Sequence, residues 1–146
     1  LVQLIGTTKR RFHRGDTYES SDIGTTRSLV AAARGTGVDH VVLLSSVGAG
    51  RPAGAYLKAK AEAERIVVES GIDWTIFRPS AFIGAGHSLP WGVPQLARTL
   101  TPQRYHPIAV EDLARAILYV ALRRVHLGEV LEGSTLWAVV AAARDD

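Results

Sequence analysis

The chain contains neither cysteine nor methionine in its 146 residues. Without thiols there can be no disulfide and no thiolate metal site, which fits a reducing compartment and a cytoplasmic protein. Without methionine there is no initiator, and removal of an initiator does not normally expose a residue as large as Leu1, so the chain reads as a piece of a longer one. No apolar run approaches about 18 residues, which excludes a membrane-spanning helix from the expected elements. The start, LVQLIGTTKRRF, has no basic region ahead of an apolar stretch and no small-residue cleavage site, so it is not a secretory signal. The five histidines, 13, 40, 87, 106 and 126, form no i, i+4 pair, and no metal site is expected. Aromatic residues make up 7% of the chain, and only Phe12 interrupts the basic cluster Lys9, Arg10, Arg11 and Arg14. That cluster is a solvated loop or a phosphate contact, and nucleic-acid binding on stacked aromatics is not expected.

What remains is ordinary globular material. The hydrophobic fraction is 47%, the charged fraction 21% and the net charge +3, in a length that suits one domain with a real core. Val2–Ile5 is a short apolar run stopped by Gly6, consistent with a buried strand. DIGTTRSLVAAARGTG predicts a helix with Asp22 as N-cap and Gly35 as its end. Val41–Leu44 is continuously apolar, as in a parallel strand covered on both faces. A helix is expected from Tyr56 to Glu69, a strand over Trp74–Phe77 closed by Pro79, and a mostly irregular stretch from Ser80 to Pro107 with a short helix near Pro94–Leu100. EDLARAILYVALRR predicts an amphipathic helix with Glu111 and Asp112 in its first turn. Val130-Leu131 is a last strand, and Ser134 is expected to cap a final apolar helix. Strand and helix alternate, so the expected fold is α/β, a doubly wound parallel sheet in a single domain over residues 1–146.

In such sheets, ligands bind beyond the carboxyl ends of the strands. Three polar clusters fall there: Gly6-Thr7-Thr8, Ser45-Ser46 and Arg78-Pro79-Ser80. Tyr56 and Lys60 open the helix after Ser45-Ser46, and residues four apart share a helix face. A lysine cation ~4.5 Å from a phenol is worth roughly 3.7 kcal/mol at an effective dielectric near 20, enough to draw the phenol toward ionisation near neutral pH. A serine hydroxyl from the strand end could hold a substrate carbonyl while the tyrosine gives or takes the proton. The bland reading of the same residues is an aromatic side chain and a surface lysine on one helix face, with turn glycines, a strand-ending proline and capping serines around them.

VVLLSSVGAG, then YLKAKAEAE, GIDWTIFRPSAFIG and YHPIAVEDLARAI, in that order, resemble the short-chain dehydrogenase/reductase superfamily in its atypical, NmrA-like NAD(P)-binding branch. The resemblance runs from about Val2 to Gly133. It implies a Rossmann-like domain and an NAD(P)-dependent oxidoreductase acting on a small-molecule carbonyl or hydroxyl. By the same resemblance Tyr56 matches the catalytic tyrosine, Lys60 the lysine that lowers its pKa and binds the nicotinamide ribose, and Ser46, or else Ser45, the catalytic serine. Gly6 and Thr7 would lie along the cofactor, with Pro79 and Ser80 near the nicotinamide. Many members of this branch bind NAD(P)H as sensors or structural subunits, which gives a non-catalytic, dinucleotide-binding alternative.

The family's glycine-rich phosphate turn is absent from these 146 residues, as is the residue that selects NAD or NADP. Two βαβ-type units are therefore expected before Leu1, and the chain alone is expected to bind NAD(P) weakly or not at all. The Val2–Ile5 strand would then have a free, uncharged edge, for which either self-association or coverage by upstream residues is expected. The substrate pocket is expected within Ala85–Tyr105.

Overall fold

The computed structural model describes residues 1–6, 15, 17–84 and 101–145. The expected helix near Pro94–Leu100 and most of the stretch assigned to a substrate pocket lie outside the described residues, as do Thr7 and the Lys9–Arg14 cluster.

Four strands form the main sheet: β1 (Val2–Gln3), β2 (His40–Leu44), β3 (Asp73–Phe77) and β6 (Glu129–Leu131). They lie side by side in that order and all run parallel. Between them come α1 (Thr25–Gly35), α2 (Gly54–Val68) and α3 (Val110–Arg123), and α4 (Ser134–Ala142) follows the last strand. A small parallel pair, β4 (Phe82–Ile83) with β5 (Ile108–Ala109), stands apart from the main sheet.

Side chains alternate across a strand, so a strand buried on both faces is apolar at every position. Val41 and Leu43 of β2 pack with Ile76, Val30 of α1 and Ala63 and Val67 of α2. Val42, between them, packs on the other face with Phe77, Leu131, Leu113 and Ile117 of α3 and Val139 and Val140 of α4. Helices thus cover both faces of the parallel sheet. This is the Rossmann-like α/β architecture expected from the alternation of elements.

Two capping expectations fail. Asp22 lies inside a π-helical turn, Glu19–Gly24, that runs straight into α1, and the residue at the N-cap of α1 is Gly24. Ser134 is the first residue of α4, after Gly133 at the N-cap, and makes no side-chain cap bond. The stretch read as irregular holds β4, and β5 follows directly after it; two residues each are too short to show a period.

Candidate functional site

The carboxyl end of β1 meets the middle of α2 at Gly6. A Cβ built on Gly6 would stand 2.8 Å from Lys60 Nζ and 2.9 Å from Asp22 Oδ1. A side chain there would push those charged groups from their present positions. Lys60 and Asp22 form an ion pair at 2.8 Å, with the lysine side chain 10% exposed and the aspartate 1%. Removing charges from water is costly, and the ion pair offsets part of that cost for both groups.

Local structure delivers both partners. Thr26 donates its hydroxyl to the Asp22 carbonyl at 2.6 Å and accepts from the buried Gln3 amide at 3.1 Å. The Gln3 carbonyl oxygen in turn accepts the Ile5 N–H at 2.6 Å. The exit of β1 is therefore tied to the turn that carries Asp22. On the other side, Tyr56, Lys60 and Glu64 recur every four residues along one face of α2. Lys60 Nζ sits 5.9 Å from the centroid of the half-buried Tyr56 ring, and Tyr18 packs against that ring at 5.7 Å and 57°.

One turn further along α2, Glu64 takes two hydrogen bonds from the Arg78 guanidinium, at 2.9 and 2.6 Å. Glu132 adds a third contact at 3.3 Å. These hydrogen bonds, with Glu64 first, hold the Arg78 guanidinium above its ordinary range.

The serines differ. Ser45 is buried, its N–H bonds the Phe77 carbonyl at 2.8 Å, and its hydroxyl has no partner among the described residues. Ser46 is half-buried, and its hydroxyl makes only a 3.5 Å contact with the Val47 carbonyl. Pro79 accepts the Val47 N–H at 2.9 Å, which joins the exits of β2 and β3. Ser80 donates to the His106 carbonyl at 2.5 Å.

Of the residues singled out in the sequence, Gly6, Tyr56 and Lys60 come together, while Ser45, Ser46, Pro79 and Ser80 line the exits of the next two strands. Asp22 is the member that sequence reasoning missed. Its local signal, an acidic residue ahead of an apolar stripe, read as a cap, and a partner distant in sequence leaves no mark on spacing.

A glycine at one strand exit beside a buried lysine, with an orphaned serine hydroxyl at the exit of the next strand, suits a ligand that needs close backbone approach. This arrangement, on a doubly wound parallel sheet, defines a nucleotide-binding class of protein. A family profile described as NAD(P)H-binding matches residues 4–124, and the chain belongs to that NAD(P)H-binding family. Over 85 residues it is 35% identical to the mitochondrial protein FMP52 of Candida albicans, covering 57% of this chain and 37% of that protein. The chain thus spans about a third of that curated relative.

Among solved structures, a putative NAD-dependent epimerase/dehydratase from Bacillus halodurans superposes with a TM-score of 0.69 at 20% identity, over 99% of this chain and 68% of that one. The dTDP-glucose 4,6-dehydratase DesIV from Streptomyces venezuelae, with NAD bound, superposes with a TM-score of 0.65 at 18% identity, over 99% of this chain and 56% of that one. At these identities the likeness concerns the fold, and it agrees with the resemblance to the dehydrogenase/reductase superfamily. Among the described residues no helix is long and apolar enough to cross a membrane.

Proposed function

We propose that the protein works as an NAD(P)-dependent oxidoreductase on a small-molecule carbonyl or hydroxyl, with Tyr56 as acid/base, Lys60 as its electrostatic partner and Ser46, or Ser45, orienting the substrate. The observation that carries this reading is Lys60: a buried cation one helical turn from Tyr56, at the bare exit of β1. Evolution seldom buries a lysine for packing, since its charge must then be matched. Gly6, Thr7 and Lys60 would hold the dinucleotide, with Pro79 and Ser80 beside its reactive ring. When bound, the cofactor supplies the hydride acceptor or donor. The chain's own part is to hold the carbonyl oxygen and move one proton at the Tyr56 hydroxyl.

Asp22 favours a second reading. Its carboxylate offsets the charge of Lys60 at 2.8 Å, so a neighbouring phenol feels a near-neutral pair. A pair of that kind suits a non-catalytic dinucleotide-binding subunit of the NmrA kind. Replacing Tyr56 by Phe separates the two. Measured in a form that also carries a glycine-rich phosphate turn, turnover of carbonyl substrates with NADH or NADPH falls by ~10²-fold or more in the oxidoreductase while NAD(P)H binding, read by fluorescence, stays. Unchanged turnover removes Tyr56 from the chemistry, and cofactor binding without turnover of any carbonyl in a broad screen establishes the binding subunit.

Self-association belongs to the same proposal. β1 is hydrogen-bonded to β2 on one side, and Leu1, Val2, Leu4 and Ile5 are exposed. A second copy, or another strand, would cover that edge.

A further inference from the structure

Beyond the exits of β2, β3 and β6 lies a cleft of about 470 Å³, open to solvent and separate from the Gly6–Asp22–Lys60 cluster. Its floor is the Arg78 guanidinium, and its walls carry Arg51 and Arg104. Gly50 lets the chain close over Arg78, because a Cβ there would stand 2.6 Å from Nη1. Three guanidinium groups on one concave surface repel one another, so their charges call for anions.

Arg78 has its own, Glu64 and Glu132. Arg51 and Arg104 have no carboxylate partner among the described residues. Elsewhere Arg27, Arg65, Arg124 and Arg144 each hold an aspartate or glutamate, and Arg34 donates to the backbone carbonyls of Glu69 and Ser70. Arg104 lies instead over the ring of Tyr105, its Cζ 4.8 Å from the centroid, which fixes the guanidinium plane without neutralising it. With Glu132 as the single carboxylate on the wall and Glu64 beneath Arg78, the cleft stays net positive.

From this arrangement we infer that the cleft binds an oxyanion, a phosphate or carboxylate, carried by the substrate. Guanidinium forks match the two oxygens of either group, and Arg78, held by Glu64, keeps the floor rigid while Arg51 and Arg104 close on the ligand. The inference deepens the oxidoreductase reading and rests on it for the word substrate. The binding site itself stands on the cleft alone.

The test is an amide-resolved NMR titration of the protein with inorganic phosphate and with acetate, at constant ionic strength set by chloride. Saturable shifts are expected at Gly48, Gly50, Arg51 and Tyr105 with either probe. Arg51→Gln and Arg104→Gln should each weaken binding by about tenfold, and the double variant should abolish it with an unchanged melting temperature. Phosphate alone binding identifies a phosphorylated substrate, and acetate binding as well admits a carboxylate.

Non-saturable shifts, or saturable ones that persist in the double variant, overturn the inference. The two readings fail separately. Carbonyl turnover without anion binding in the cleft removes this site and leaves the oxidoreductase, whereas anion binding without turnover keeps the site and removes the enzyme.

Discussion

Helix α2 carries two buried ion pairs one turn apart, and they are built differently. Glu64 and Arg78 meet through two hydrogen bonds, with planar carboxylate against planar guanidinium and Glu132 behind. Lys60 and Asp22 meet at one point, between a tyrosine ring and a glycine where a side chain would displace them. A bidentate pair specifies geometry, because a fork can be satisfied in few orientations. An ammonium is a point charge on a flexible stem and can exchange partners by a small rotation. Glu64–Arg78 therefore fastens α2 to the exit of β3, and Lys60–Asp22 holds a cation where a ligand can claim it.

The largest effect should come from the first pair. Arg78→Leu leaves the Glu64 charge buried and unpaired, which costs about 3–5 kcal/mol and, for a domain of this size, about 10–15 °C in melting temperature. A loss under a few degrees by calorimetry would mean that the clamp is not structural. Tyr56→Phe should do the reverse, with turnover lowered ~10²-fold and stability changed by less than about 1 kcal/mol in urea melts.

A smaller effect separates the two pairs by ligand. On its own the 146-residue chain should bind NADH weakly, since it carries no glycine-rich turn to meet the pyrophosphate, and calorimetry giving micromolar affinity would contradict this.

The smallest expected effect lies outside both pairs. His40 is buried at the start of β2, its Nε2 2.9 Å from the Thr75 hydroxyl, and burial first, then nearby cations, lower its pKa from the ordinary 6.5. The unfolded chain therefore takes up that proton at higher pH than the folded one. The stability His40 contributes is complete above about 6.5 and is lost as pH falls below it. Urea midpoints measured at pH 7.5 and 5.5 should drop less in His40→Gln than in the unaltered protein.

How much of this was legible follows from where each signal resides. β2 and β3 were visible because burial on both faces leaves a continuous apolar run, as in VVLL. α3 was visible because Leu113, Ile117 and Val120 recur at helical spacing and are the residues that face the core. Tyr56 and Lys60 were visible as an i, i+4 pair. The Asp22–Lys60 contact was not, since tertiary pairing between distant segments has no local signature. The Arg78–Glu64 clamp was missed for the same reason, with Glu64 hidden among the charges of KAKAEAER. Asp22 also deceived by obeying a local rule for a cap that the π-helical turn made unnecessary.

The little pair β4–β5 has a consequence for how such a protein can diversify. Phe82 registers with Ile108 and Ile83 with Ala109, and Ile108 N–H bonds the Ala81 carbonyl at 2.9 Å, so two segments far apart in the chain are held together by one clip. Closing a chain between two fixed points costs only a logarithm of its length, so the clip tolerates changes in the number of residues it joins. Natural selection, or an engineer, can therefore change the number of residues between the two strands of the clip while the main sheet keeps its register.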